Sequence, residues 1–517
     1  MYKGKILFGL IMCIVILSFF LRFYGVTNNY PFWVDEFSTA HQAKLILLKG
    51  VSVLFDRTYN NEPHNISTYI LAALSFKIFG IFESSARLPF VFIGSLIPIA
   101  LFVVTKKIFD TRAALSTLLL CTFSYYMIVW SRQARGYPLL QLVILLSLYC
   151  YVRLYSTKNR LLFIMFGVLI FLGIITHAFY YIFLMSLIIH AAVSNWTSLL
   201  SFLKNRYIPV LIMVLVLMFI LIGTPQAIYR SFETGLIGIH NNFSYYHSFL
   251  WREYGLITFL ALLGYVTGLI NRAKWSLLIL IYITLHLLFV SLIYDHYISK
   301  YLLPIFPFLL MGAGYFIASF SQFIIKDKIV VKKKWLLYST VFLVTIFIVV
   351  NGYKFTFQPK KYYSVNHDFR EIANIDYYKI YKVIKTKGDL KENKTAIIDT
   401  WFDRPLWYIN NNNPAIYIFR WENEQDSQKK TRFIYSKEDV KIIPTSGNIR
   451  FIGNLNDLQN VMKKYSKGFI FIDDLTLPKD VTDYAEKNLK KELYLDHYPL
   501  DDNPYSIWPA TLYSWGL

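Results

Sequence analysis

Two adjacent carboxylates, Asp35 and Glu36, follow directly on the first hydrophobic segment, in the stretch Pro31-Phe32-Trp33-Val34-Asp35-Glu36-Phe37. Tyr30, Phe32 and Trp33 precede them, and amphipathic rings of this kind settle at a membrane–water boundary. A carboxylate at headgroup depth can act as a general base on a substrate that arrives partly from lipid. The same pair could also serve as a solvated cap on a helix starting near Ser38. A second group is Arg132 and Arg135, three positions apart in Ser131-Arg132-Gln133-Ala134-Arg135-Gly136-Tyr137, with almost no linker between the flanking apolar runs. Both can face one spot, and a guanidinium fork donates in bidentate fashion to a phosphate ester. Snorkelling into lipid headgroups is the other use of such arginines. With Lys300 converging on the same face as Asp35, a phosphate site is the favoured reading.

Further polar residues gather on that side: Glu62 and His64 in Glu62-Pro63-His64-Asn65, then Arg87, Tyr137, and His177 after Thr176. Either histidine can be a hydrogen-bonded loop residue or a substrate ligand. HExxH and similar ligand spacings are missing from the sequence. A divalent cation held by Asp35, Glu36 and a loop histidine is the one metal arrangement suggested, and no cofactor is firmly implied. Cys13, Cys121 and Cys150 fall inside apolar segments without CxxC spacing, so neither a disulfide framework nor a thiolate metal site is indicated.

The elements that must position these residues are hydrophobic. The 517 residues are 56% hydrophobic, 18% aromatic and 16% charged, with net charge +21 and mean hydropathy +0.42. Such a balance excludes an ordinary soluble protein and reads as a polytopic membrane protein. The basic excess lies in short clusters between apolar runs, which fits membrane topology rather than nucleic acid binding. About eleven spans are expected, near 5–24, 88–108, 113–131, 137–155, 161–176, 178–195, 207–223, 254–270, 275–294, 301–324 and 335–351. The first reads as a retained anchor, and 65–80 as a short interfacial helix. With the N-terminus inside, every inner turn is basic, and the odd number of spans puts the C-terminal region outside.

From about Gln358 charge rises and apolar runs shorten. Strands are expected at 395–400, 415–419, 432–435 and 468–473, alternating with helices near 367–386, 454–465 and 479–491. This defines an α/β domain with a mostly parallel sheet over 358–517, after a membrane domain over 1–357 whose first outer loop is 25–87. GxGxxG and the P-loop are both missing from it.

Several of these stretches together resemble a known superfamily. They are the Asp35-Glu36 pair, Glu62-Pro63-His64 with the helix from Tyr69 to Gly80, Ala86-Arg87-Leu88-Pro89, the arginine stretch 131–137, Thr176-His177, and Lys300-Tyr301-Leu302-Leu303-Pro304-Ile305-Phe306-Pro307. Their order and spacing over about 25–320 resemble the GT-C glycosyltransferases, in the branch containing protein O-mannosyltransferases and lipid A aminoarabinose transferases. The resemblance implies a polyprenyl-phosphate monosaccharide donor, a protein, lipid or glycan acceptor, and inverting transfer on the outer membrane face. It implies Asp35 as general base with Glu36 beside it, and Arg132, Arg135, Lys300 and Tyr301 at the donor phosphate. Glu62, His64, Arg87, Tyr137 and His177 would then contact substrate. Many relatives carry Glu-Lys-Pro-Pro or His-Pro-Pro-Leu where this chain reads Glu62-Pro63-His64-Asn65-Ile66, so acceptor binding by that loop departs from the pattern.

Two other functions use similar residues. A transporter or flippase for a lipid-linked or anionic substrate would need paired half-spans, a repeat and charges at mid-membrane. None of these is evident in the sequence. A glycan ligase or polymerase using lipid diphosphates would also use outer arginines, but it does not call for the Asp35-Glu36 pair.

Overall fold

The computed structural model describes residues 2–28, 31–32, 34–55, 63–157, 159–194, 224–233, 235–295, 298–325, 333–352, 376–388, 390, 395–400, 403–409, 415–419, 450–473, 477–495 and 510–517. The expected span 207–223, the expected strand 432–435, residues 367–375 of the expected helix 367–386, and Trp33 and Glu62 lie outside these residues. The chain divides into two compact units. The first comprises Met1–Asn28 and Ala43–Ser364, and the second Asn29–Gln42 and Val365–Leu517.

The first unit is helical. In order its helices are α1 (Tyr2–Phe23), then, after α2 (Val34–Lys49), α3 (Ile66–Phe79), α4 (Glu83–Ile108), α5 (Thr111–Phe123), α6 (Tyr125–Ser131) and α7 (Tyr137–Leu154). They are followed by α8 (Arg160–Thr176), α9 (Tyr180–Ser194), α10 (Thr224–Glu233), α11 (Phe243–Ile270), α12 (Ser276–Leu292), α13 (Phe306–Ile325) and α14 (Lys333–Gly352). Among the described residues four helices, α4, α7, α11 and α13, are long and apolar enough to cross a membrane, and the bent pair α5–α6 adds a fifth. Shorter apolar helices accompany them at Leu7–Phe23, Ile66–Phe79, Arg160–Thr176, Tyr180–Ser194, Ser276–Leu292 and Leu336–Asn351. This is a multi-pass membrane protein.

One expected span differs in form. The run 113–131 is broken at Ser124, and its two helices bend by 59°. Ser124 takes an extended conformation and accepts a hydrogen bond from Met127 N. The break frees carbonyls at the end of α5, and an unsatisfied carbonyl in lipid costs several kcal/mol. Arg22, fully buried on α1, donates to Cys121 O at 3.0 Å and Thr122 O at 3.5 Å. Arg22 thus stabilises the bend that aims the following turn, residues 131–136.

Close packing holds the turns between the helices. A Cβ on Gly264 would lie 2.0 Å from Gly312 O, so α11 and α13 approach backbone to backbone, as small residues permit in membranes. Tyr265 OH donates to Phe308 O at 2.6 Å in the same contact. A 3-10 turn, Ser299–Leu302, precedes α13, and Tyr126 OH on α6 donates to Ser299 O at 2.5 Å. Backbone hydrogen bonds from Gly238, His240 and Asn242 to Ile293, Leu292 and Ser291 tie the 236–242 segment to the end of α12.

The second unit is an α/β fold. Among the described residues its six strands are β1 (Thr395–Asp399), β2 (Ala415–Phe419), β3 (Arg450–Ile452), β4 (Lys467–Ile472), β5 (Lys490–Leu495) and β6 (Ala510–Trp515), in the order β3-β2-β1-β4-β6-β5. β3, β2, β1 and β4 are parallel, while β6 is antiparallel to β4 and to β5. The strands 395–399, 415–419 and 467–472 match the expected apolar runs. The antiparallel edge was not expected: the helix foreseen over 479–491 ends at Asn488, and β5 starts at Lys490. Lys490, Lys491 and Glu492 at the edge of the sheet mask the strand character of that segment. Among the described residues helices α15 (Tyr377–Lys387), α16 (Asp403–Tyr408), α17 (Leu455–Lys464) and α18 (Lys479–Asn488) accompany the sheet, together with the first half of α2.

Candidate active site

In the first unit the site is built on the turns between helices. Arg132 closes α6, and its guanidinium donates to Leu21 O at 2.5 Å and to Arg22 O at 3.3 Å, binding the turn to the end of α1. Burial first, and then the Arg22 charge, pull Arg132 down to about 10, so it remains cationic at neutral pH. Arg135 follows in the same turn and is buried. The next residue must be small, because a Cβ on Gly136 would lie 2.3 Å from Thr68 Oγ1 on α3. Ser67 on α3 hydrogen-bonds Thr176 at 2.8 Å, which brings the end of α8 to the same place.

His177 caps α8 there. Phe179 N donates to its Nδ1 at 3.1 Å, so the neutral ring carries its proton on Nε2 and can donate from it. Its ring lies between Tyr137 at 5.1 Å and Phe179 at 4.7 Å. Burial above all, and then Arg135, His64, Lys300 and His286, push its pKa well below the ordinary 6.5. The charges of Arg135 and Lys300, with His64, thus all oppose protonation of this one imidazole. Lys300 is 4% exposed, with its ammonium 5.4 Å from the Tyr301 ring. Phe179 packs on Tyr301 at 5.3 Å. Of the expected residues the structure brings together His64, Arg135, Tyr137, His177, Lys300 and Tyr301. Arg132 lies one turn back, against α1. Arg87 is buried inside α4, 4.0 Å from Glu83, and so sits on a helix rather than in the outer loop. Glu62 lies outside the described residues.

A folded-state pKa below the unfolded one makes His177 favour the native state above pH 6.5 and oppose it as pH falls below that value. The protein is expected to lose thermal stability below about pH 6.5. His177→Gln is expected to flatten that acid-side loss; a melting temperature whose pH dependence is the same in both would show that other groups carry it.

Sequence reasoning missed His286 and Phe179. His286 Nε2 hydrogen-bonds Tyr301 O at 2.6 Å and the ring is fully buried beside Phe179. A histidine within an apolar span was the available signal.

The second unit carries the carboxylates. Helix α2 starts at Val34, not near Ser38, so Asp35 and Glu36 both lie in its first turn, where negative charge is favoured by the helix dipole. Glu36 is fully buried and Asp35 half-buried, which is not a fully solvated capping pair. Phe32 packs on Trp407 at 5.1 Å, and Phe37 on Tyr377 and Tyr408, each at 6.0 Å. Aromatic anchors thus bracket the carboxylates. Among the described residues no three His, Cys, Asp or Glu side chains gather as a metal site.

Residues 63–223 match the family of dolichyl-phosphate-mannose-protein mannosyltransferase. Among solved structures the chain is similar to ArnT from Cupriavidus metallidurans in the apo state, at 12% identity and TM-score 0.63, covering 99% of this chain and 98% of that one. ArnT bound to undecaprenyl phosphate gives TM-score 0.65 at 12% identity and the same coverage. The archaeal oligosaccharyltransferase AglB from Archaeoglobus fulgidus, in complex with an inhibitory peptide and a dolichol-phosphate, gives TM-score 0.52 at 12% identity, covering 91% of this chain and 70% of that one. No curated protein sequence matches the chain. At 12% identity these likenesses show a shared fold, that of ArnT.

Proposed function

We propose that this chain is an integral membrane glycosyltransferase. It moves a hexose or pentose from a polyprenyl-phosphate donor to a hydroxyl of a protein, lipid or glycan acceptor on the outer membrane face, with inversion. The observation that carries this reading is the pair of buried cations, Arg135 and Lys300, whose charges both act on His177, in a fold shared over 99% of the chain with a protein bound to undecaprenyl phosphate.

In a single displacement the acceptor oxygen bonds to the anomeric carbon as the bond from that carbon to the phosphate oxygen breaks. Arg135 and Lys300 stabilise the charge that grows on the leaving phosphate, and fixed charges in a water-poor site do this without reorganising. Arg132 contributes its field and holds the turn, while His177 can donate from Nε2 to a phosphate or sugar oxygen. Asp35 takes the acceptor proton, and Glu36 orients the segment or the sugar. His64, Tyr137 and Tyr301 complete the substrate contacts.

Purified protein in liposomes containing a polyprenyl-phosphate sugar labelled in the sugar tests this reading. Transfer of label out of the lipid fraction to an acceptor hydroxyl supports it. Label that crosses the bilayer still attached to lipid would instead identify a transporter.

The active side is the outer one in this proposal. A cysteine at Lys487, exposed in the last turn of α18, is expected to react with an impermeant thiol reagent in intact cells, in a background lacking the three native cysteines. Labelling only after lysis would place the second unit inside.

A further inference from the structure

In an open α/β sheet, ligands bind at the carboxyl ends of the strands where the strand order reverses. Here the chain runs outward from β1 through β2 to β3 and returns on the other side of β1 as β4, so the reversal lies between β1 and β4. Their carboxyl ends carry Asp399 and Thr400, and Asp473, respectively. That crevice is filled from within. Arg404 of α16 contacts Asp473 Oδ2 at 2.5 Å and Asp399 Oδ1 at 3.4 Å. Thr400 donates to Asp473 Oδ1 at 2.5 Å, and the Tyr381 hydroxyl hydrogen-bonds Asp399. Arg404 is 2% exposed, Asp399 1% and Asp473 5%. Burial works against the Arg404 charge, but Asp473 and Asp399 more than offset it and hold the guanidinium above its ordinary range.

Buried ion networks are poor sources of stability, because desolvation cancels much of the attraction, and apolar replacements are often neutral or better. What such a network does well is hold one geometry. The parts held by this one are aromatic. The Arg404 guanidinium lies 4.7 Å from the Tyr377 ring, and Tyr381 stacks on Tyr408 at 4.8 Å. Tyr377 and Tyr408 grip Phe37, while Trp407, on the same short helix as Arg404, grips Phe32. Asp35 and Glu36 stand between Phe32 and Phe37 in sequence.

We infer that the Asp399–Arg404–Asp473 network is a positioning clamp: it occupies the crevice where such sheets hold ligands and sets the Asp35–Glu36 turn through Phe32 and Phe37. Arg404 is a positioning residue and touches no substrate. The inference rests on the reading of Asp35 as general base, and its primary test does not depend on activity.

The test is amide hydrogen exchange in the full-length protein in lipid nanodiscs, with transfer kinetics measured on the same samples. Arg404→Met is expected to speed exchange of the Ser38–Gln42 amides by at least about tenfold, with β1 and β4 still protected. Turnover is expected to fall by about tenfold to a hundredfold with donor affinity unchanged, as small displacements of a catalytic group do. Arg404→Lys should recover part of both. Should Arg404→Met unfold the sheet, Phe32→Leu with Phe37→Leu replaces it, since that variant leaves the ion network intact and should show the same two effects. Unchanged exchange at Ser38–Gln42 in a variant with a protected sheet would overturn the clamp. Faster exchange together with normal transfer by Asp35→Asn would leave the clamp standing and remove Asp35 as the base.

Discussion

Asp35→Asn is expected to lower single-turnover transfer by at least about a hundredfold while donor affinity is largely kept, the low end for loss of a general base. Asparagine keeps the size and the hydrogen-bonding capacity of the side chain but cannot take a proton at neutral pH. The geometry of α2 separates the two carboxylates. Both lie in its first turn, but Glu36 is fully buried while Asp35 keeps some exposure to solvent. Glu36→Gln is therefore expected to cost less in transfer and more in stability, because it alters a buried polar group. The measurement is transfer from a polyprenyl-phosphate sugar in one turnover, with donor affinity, for both variants in folded protein. Normal transfer by Asp35→Asn with a dead Glu36→Gln would reverse the roles. Normal transfer by both would reduce the stretch to a helix N-terminus.

Arg135→Ala is expected to weaken donor binding or turnover by about 2–4 kcal/mol, the range for one preorganised charge contact. Arg135 is buried, is first after burial itself in opposing protonation of His177, and shares that place with Lys300. Removing it leaves Lys300 as the other buried cation acting on His177. Arg135→Lys should recover only part of the loss, because an ammonium cannot reproduce the planar fork. Arg132→Ala should differ in kind. Its guanidinium already binds the carbonyls of Leu21 and Arg22, so this variant should lower thermal stability as well as donor affinity. Equal donor affinity and turnover in wild type and Arg135→Ala would leave the arginine turn with a structural role alone.

Much of this was legible in the sequence. Long apolar runs must become helices in lipid, because nothing else satisfies their backbone groups, so the described residues form apolar helices at the expected places. Alternation of short apolar runs with helical patterns gave away the parallel strands 395–399, 415–419 and 467–472. Residue type also marked Arg135, His177 and Lys300, since polar groups at the ends of apolar runs need a reason. Other features depend on partners far away in the chain and leave no local pattern. The break at Ser124 is held by Arg22, about a hundred residues earlier, and α2 starts at Val34 rather than near Ser38. The tautomer of His177 follows from one backbone amide, that of Phe179. The antiparallel edge β5–β6 is hidden under lysines, and the Arg404 network joins three segments that only the folded sheet brings together. Which residues lie in lipid, and which polar types stand at its boundary, is written in local hydrophobicity; what those residues grip is decided by contacts whose sequence separation carries no periodic signal.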